Sequence, residues 1–304
     1  MPNTITTNTP ANHLRGYWFA ATAALLWGAS GVVARYLFRQ QSLHPFDLLA
    51  LRTLLAALIY LVWLALTAPQ FLRVERRDLW RFAFFGVIGL AFNQGCYYLA
   101  LQRTNVGYAL LLQYTMPVML MAYGWLTRTE IITRAKAVAA ALTLAGAALM
   151  MGGQAGGFAN VSFAGTLFAL GSALGYCFYS LAGQRLLQKY DSRTVIAYGF
   201  LAASLMWLIV HPLWRINWAS FNGKAWGLTL FIAVTGTVLP FVLYLAGLRY
   251  IEASRAGITA TTEPVFAAAL AWGLLGERML PWQLVGGLAV LSGVLLIQAE
   301  ARSR

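Results

Sequence analysis

Ten apolar runs alternate with short polar breaks along the chain. They cover about residues 15–37, 45–67, 80–101, 106–126, 135–153, 162–184, 193–213, 225–248, 254–275 and 281–299. A membrane-spanning helix needs about 20 mostly apolar residues, and each run has roughly that length. The breaks are short and polar, such as RVERRD at 73–78 and QKYDSR at 188–193. The break at 152–162 is Gly-rich and falls near mid-chain. The pattern predicts ten transmembrane helices with a joint between two halves.

The two halves repeat one another. Shifted by 147 residues, they align without gaps over 105–151: Ala109 meets Ala256, Pro117-Val118 meets Pro264-Val265, and Trp125 meets Trp272. The same offset puts Gly28 on Gly175, Gly89 on Gly236 and Tyr97 on Tyr244. A single offset that serves several helices marks a structural repeat. Each half has five helices, an odd number, so the second half enters the membrane from the opposite side. Inverted repeats suit carriers, because two copies of one unit can exchange conformations.

The expected fold is therefore an all-α membrane protein of ten transmembrane helices, built as two inverted five-helix repeats around a central cavity. Its parts are a cytoplasmic tail (1–13), a first repeat (14–153), a joint (154–161), a second repeat (162–299) and a cytoplasmic tail (300–304). Residues 1–13 lack the positive start of a signal peptide, and the first apolar run is too long for a cleaved segment, so it is read as a retained helix.

Composition narrows the function. Of 304 residues, 60% are hydrophobic and only 10% charged, with a mean hydropathy of +0.66. Soluble domains carry about 25% charged residues, so a large soluble enzyme is excluded. The charge is +13, from 22 Lys and Arg against 9 Asp and Glu. These cations sit mainly in the breaks, which points to topology and anionic lipid rather than nucleic acid. One side of the predicted bundle holds Arg15, Arg73, Arg76, Arg77, Arg81, Arg128, Arg134, Lys136, Arg185, Lys189, Arg193, Arg249, Arg255, Arg302 and Arg304. The other holds only Arg35, Arg39, Arg103, Arg215, Lys224 and Arg278. The bias predicts that both ends of the chain lie in the cytoplasm. Cys96 and Cys177 lie in separate runs with no motif and read as packing residues. No catalytic or phosphate-loop motif is present, and no cofactor or metal site is predicted.

Several motifs resemble a known family. TEPVFAAALAWGLLGER (262–278) is similar to the Glu-Pro-Val…Gly-Glu-Arg segment of ten-helix drug/metabolite transporters of the amino-acid and metabolite exporter (EamA) type. HPFDLLALRTLLAAL (44–58), with its embedded Arg52, resembles that family's second helix, and LLWGASGVVARY (25–36) its first. The resemblance implies a bacterial inner-membrane exporter of small molecules, nearest to the aromatic and neutral amino-acid exporters. The four-helix multidrug relatives use a glutamate in the first helix. None stands there in this chain, so their proton-exchange site is not carried over.

The deep polar residues are the candidate site. Glu263 is the only acid well inside an apolar run, and a carboxylate there must face a cavity or a partner. It fits a substrate-ammonium or proton site, or a structural bond to backbone freed by Pro264. Arg52 fits a clamp for a substrate carboxylate, an outer gate, or a structural tie. Pro117, Pro240 and Pro264 fall near helix midpoints, where interrupted helices line transporter sites. Ser30, Asn93, Gln94, Gln113, Thr237 and the aromatic residues Trp27, Tyr97, Tyr98, Tyr176, Tyr179 and Tyr244 are expected to line the cavity. Asn93 and Gln94 are adjacent, about 100° apart on a helix, so one of the two is expected to face it. Helix–helix hydrogen bonds and lipid-facing packing are the alternatives for these groups.

The reading is a carrier that exports small neutral metabolites, amino acids including aromatic ones, by alternating access. It has no obligate protein partner. The rivals are a sugar or nucleotide-sugar carrier of the same fold, a multidrug exporter, a passive pore and an intramembrane enzyme.

Overall fold

The computed structural model describes residues 10–41, 43–104, 106–152, 162–275 and 280–302. Residues 1–9 of the expected tail 1–13, the joint 154–161, Glu277, Arg278 and the end at 303–304 lie outside the described residues. Among the described residues every regular element is helical.

Ten helical spans account for the runs. They are α1 (Pro10–Gln40), α2 (Pro45–Thr67), α3 (Arg76–Leu101), α4 (Val106–Gln113 and Met116–Leu126) and α5 (Arg134–Gly152) in the first half. The second half has α6 (Phe163–Leu187), α7 (Ser192–Val210), α8 (Gly223–Gly247), α9 (Ala253–Ala260 and Glu263–Leu275) and α10 (Pro281–Arg302). Nine of these are long and apolar enough to cross a membrane, and α9 is the interrupted tenth. Polar caps start several of them. The side chains of Ser162, Asp191 and Asn222 accept bonds from the amides of Gly165, Arg193 and Ala225 at 2.9, 3.0 and 2.9 Å, satisfying donors that have no helical partner. Two boundaries differ from expectation. α10 runs to Arg302, so residues 300–302 of the expected tail belong to the second half. α1 begins at Pro10, inside the segment expected to be tail, with proline in the first position where its missing amide hydrogen costs nothing.

The repeat is visible in backbone irregularities. α3 carries a π-helical stretch at Phe85–Phe92, and α8 carries one at Ile232–Val238. Phe85 and Ile232 are 147 residues apart. The breaks in α4 and α9, at Tyr114-Thr115 and Thr261-Thr262, are related by the same offset. Their cause is Pro117 and Pro264, which cannot donate to the preceding turn. Threonine hydroxyls take up nearby carbonyls instead: Thr115 donates to Leu112 O at 2.6 Å, and its repeat mate Thr262 to Thr259 O at 2.8 Å.

Packing follows the same two-fold pattern. α1 packs on α8 as α6 packs on α3, and α1 on α9 as α6 on α4. The self-related pairs α2–α7 and α5–α10 close the bundle. The α5–α10 contact is backbone on backbone: a Cβ at Gly146 would lie 2.5 Å from Gly286 O, and one at Gly286 would lie 2.5 Å from Gly146 O. Large apolar side chains such as Leu66, Phe163, Ile209 and Leu288 point outward, as a lipid-facing surface requires.

Two membrane faces follow from this order. The face with the chain ends also bears the α2–α3, α4–α5, α6–α7 and α8–α9 connections. We call it the terminal face, and the other the distal face.

Candidate functional site

A cavity of about 200 Å³ lies at the centre, between α1, α2, α3, α4, α6, α8 and α9. Its lining runs from mid-bundle residues Trp27, Tyr176 and Phe241 to Phe38, Arg52 and Leu101 at the distal ends of α1, α2 and α3. The broken helices shape it. The distal part of α4 contributes Leu110, Gln113 and Tyr114, and the distal part of α9 contributes Glu263, Pro264 and Ala267. Towards the terminal face the remaining parts of α4 and α9 pack together. A Cβ at Gly257 would meet Met116 Sδ at 2.8 Å and Pro117 Cγ at 3.3 Å. The cavity therefore has a floor on the terminal side and extends distally.

The polar wall is ordered by side-chain bonds. Arg52 is buried, donates from Nη2 to Gln94 Oε1 at 2.7 Å, and lies 5.7 Å from the Tyr98 ring centroid. Its Nε is buried with no hydrogen-bond partner among the described residues. Asp47 bonds elsewhere, to His211 Nε2 at 2.6 Å and the Asn217 amide at 3.2 Å. Asn93, Gln113 and Ser172 form a closed triangle: Gln113 Nε2 to Asn93 Oδ1 at 3.2 Å and to Ser172 Oγ at 2.6 Å, and Ser172 Oγ to Asn93 Oδ1 at 2.9 Å. These bonds explain why both Asn93 and Gln94 line the cavity, where one was expected. The space is a wedge: Asn93 is drawn towards α4 and α6, and Gln94 towards α2.

Glu263 reaches the cavity because α1 passes very close to α9. A Cβ on Gly28 would lie 2.9 Å from Glu263 O and 3.0 Å from Ala267 N. Only glycine lets the two backbones approach so far.

The aromatic wall is a cluster of edge-on and tilted rings. Trp27 meets Tyr176 at 5.9 Å, Phe241 at 5.2 Å and Tyr244 at 5.7 Å between centroids, distances typical of edge and tilted pairs. Trp27, Tyr176 and Phe241 line the cavity. Tyr179 and Tyr244, expected to line it, stand behind them with no exposed surface. The Tyr179 hydroxyl donates to Phe241 O at 2.9 Å, and the Tyr244 hydroxyl pairs with Ser180 Oγ at 3.1 Å. Thr237, also expected to line the cavity, instead donates to Ile232 O at 3.1 Å within the π-helical stretch.

Of the other expected residues, Ser30, Tyr97, Tyr98 and Pro264 are in the lining, while Pro117 and Pro240 are not. Pro117 lies in the floor, and Pro240 opens the helix that follows the π-helical stretch. Sequence reasoning missed Arg35, Phe38 and Phe241; Tyr114 reads from the sequence as a deep aromatic residue but is left outside the expected site. Arg35 was placed with the distal-side cations, but α1 continues to Gln40 and carries it along the cavity.

A broken-helix, inverted-repeat bundle around a mixed polar and aromatic chamber defines a membrane carrier fold. Comparison with known proteins makes the class specific. The EamA-like transporter family matches residues 14–152 and 163–299, so the chain belongs to that family. It is 28% identical over 286 residues to YicL of Salmonella typhimurium, described as an uncharacterized inner membrane transporter, covering 93% of this chain and 94% of the relative. It is 27% identical over 236 residues to the threonine/homoserine exporter RhtA of Escherichia coli K12, covering 78% and 77%. A solved crystal structure superposes with a TM-score of 0.82 at 21% identity, over 95% of this chain and 98% of the other, which establishes the shared fold. The protein is a multi-pass membrane transporter of the EamA type.

Proposed function

We propose that this protein exports small amino acids, including neutral and aromatic ones, across a bacterial inner membrane by alternating access. The observation that carries the reading is the cavity's inventory. One buried guanidinium with an unmatched N–H (Arg52), one carboxylate (Glu263) and an aromatic wall share a single chamber. A zwitterion with an apolar side chain complements all three: carboxylate to Arg52, ammonium to Glu263, side chain to the rings. The amino-acid exporter among the relatives supports the same class.

The test is transport by purified protein in liposomes. Radiolabelled threonine, phenylalanine and tryptophan are expected to accumulate by counterflow against the same unlabelled amino acid. Movement of only sugar phosphates or organic cations would overturn the reading. Arg35 gives the sugar-phosphate outcome a specific basis, since it adds a second guanidinium to the lining.

The orientation is part of the proposal. Both chain ends are taken as cytoplasmic from the bias of Lys and Arg towards the terminal face. Reporter fusions at the C-terminus should be active only for a cytoplasmic reporter. A periplasmic signal would invert every assignment of face.

A further inference from the structure

The terminal face carries a cluster of charges that joins the two halves. Lys136, 1% exposed, reaches Glu252 Oε2 at 2.6 Å and Glu130 Oε2 at 3.3 Å. Ser254 Oγ donates to Glu130. Arg255, 5% exposed, bonds Glu252 at 2.8 Å, Glu300 at 2.9 Å, Ile297 O at 3.0 Å and the Tyr17 hydroxyl at 3.1 Å. Glu130, Lys136 and Tyr17 belong to the first repeat; Glu252, Ser254, Arg255 and Glu300 belong to the second. Burial alone would push the Glu252 carboxyl up, but Lys136 and Arg255 outweigh it and hold it below the usual range.

The inverted repeat supplies an internal control. The mates of Lys136, Ser254 and Arg255 are Gln283, Gly107 and Tyr108 on the distal face, and those of Tyr17, Glu252 and Glu300 are Ala164, Asn105 and Gly153. Only Glu130 has a charged mate, Glu277. Tyr108 pairs instead with Thr166 of the second half, at 3.1 Å, a tie across the distal face that carries no charge. One other tie shows the same asymmetry, at the surface: half-exposed Lys189 reaches Glu75 Oε1 and Asp78 Oδ2 at 2.6 Å each on the terminal face, and the mates of the three, Ser42, Asn222 and Ala225, are uncharged. The α2–α7 region is bonded at both faces, by Asp47 to His211 and the Asn217 amide distally, and by Thr194 to Phe71 O at 2.7 Å on the terminal side. Of the two ties by charge at the terminal face alone, the one at α4–α9 is the buried one, and its helices form the cavity floor.

We propose that the Glu130–Lys136–Glu252–Arg255 cluster is an ionic latch that holds the α4 and α9 halves together on the terminal face. It biases the substrate-free carrier towards the distally open state, because the repeat-related site has no equivalent charge set with which to close. The proposal rests on the alternating-access reading above. Entry of substrate from the terminal side requires the latch to part. Bound substrate offsets that cost only through interactions it makes better in the terminally open state.

The test reads side-specific accessibility in substrate-free protein. In a background with Cys96 and Cys177 replaced by alanine, Thr259→Cys reports the sealed terminal side and Ala34→Cys the distal cavity. Thr259 is fully buried, and Ala34 lines the cavity. With a membrane-impermeant maleimide applied from the terminal side, Lys136→Met is expected to speed labelling at position 259 by roughly tenfold. Labelling at position 34 from the distal side should slow. Glu252→Gln leaves Lys136 with Glu130 and Arg255 with Glu300, so it should fold readily and give the same shift at smaller size. Unchanged rates at both sites in folded Glu252→Gln would overturn the latch. The parent's counterflow assay fails separately if the carrier reading itself is wrong.

Discussion

Replacing Gly146 by leucine is expected to leave little folded protein. Gly146 and Gly286 each place a virtual Cβ 2.5 Å from the other's carbonyl oxygen, and Gly293, the repeat mate of Gly146, places one 2.8 Å from Ala139 O. These neighbours are backbone and cannot swing aside, so a side chain must push α5 and α10 apart. Within a bilayer, helix association depends on close packing of small residues, since lipid already satisfies apolar surface. Overpacking of this kind costs about 3 kcal/mol at the upper end of its usual range, a large share of marginal stability. Gly146→Leu should therefore give no monodisperse peak on size exclusion in mild detergent. Gly227→Leu is the control. Gly227 is exposed with nothing within 4 Å of a virtual Cβ, so leucine there should face lipid harmlessly. Equal yields for the two variants would mean that the α5–α10 contact is not a close backbone approach.

That contact also marks what the sequence made legible. The Gly146–Gly293 match at the repeat offset is visible without coordinates, because a helix in lipid reveals close approach by small residues. The ten runs are legible for the same reason: hydropathy reports the solvent directly. The depth of an aromatic ring is not. Tyr176 and Tyr179 are three residues apart on one helix face, yet one lines the cavity and the other is sealed behind Phe241. That difference is set by α8, whose Phe241 carbonyl accepts from the Tyr179 hydroxyl, and no local pattern encodes it. The π-helical stretches were equally silent, since FGVIGLAF at 85–92 contains no proline or polar break. Arg35 falls inside the first expected run, 15–37, and hydropathy marks it only as a cation near the distal end; which face of the helix turns to the cavity is set by packing. Thr115 and Thr262, whose hydroxyls take up carbonyls at the helix breaks, stand at the same offset of 147 as the prolines.

Arg52→Met is expected to lower the transport efficiency for phenylalanine by about a hundredfold or more, in line with the 2–5 kcal/mol cost of removing one partner of a desolvated charge pair. A purely structural Arg52, tying α2 to α3 through Gln94, would lose activity too, so the rate alone does not decide between the roles. The substrate's functional groups do. If Arg52 binds the carboxylate, parent protein should prefer phenylalanine to phenylalanine amide, and Arg52→Met should erase that preference while leaving the amide's transport close to its parent value. Arg52→Lys keeps the charge but not the planar fork, so it should recover only part of the discrimination. Glu263 is tested by the opposite deletion. Parent protein should prefer phenylalanine to 3-phenylpropionate, which lacks the ammonium, and Glu263→Gln should reduce that preference by about tenfold or more, as loss of one charge-assisted bond implies. Gln94→Met removes the structural partner of Arg52 without touching its charge. If Gln94→Met reproduces the whole loss seen in Arg52→Met, with acid and amide affected alike, Arg52 is a strut between helices and the carboxylate must bind elsewhere. If Gln94→Met keeps the acid-over-amide preference, the guanidinium itself reads the substrate, because only a group that touches the carboxylate can tell an acid from its amide.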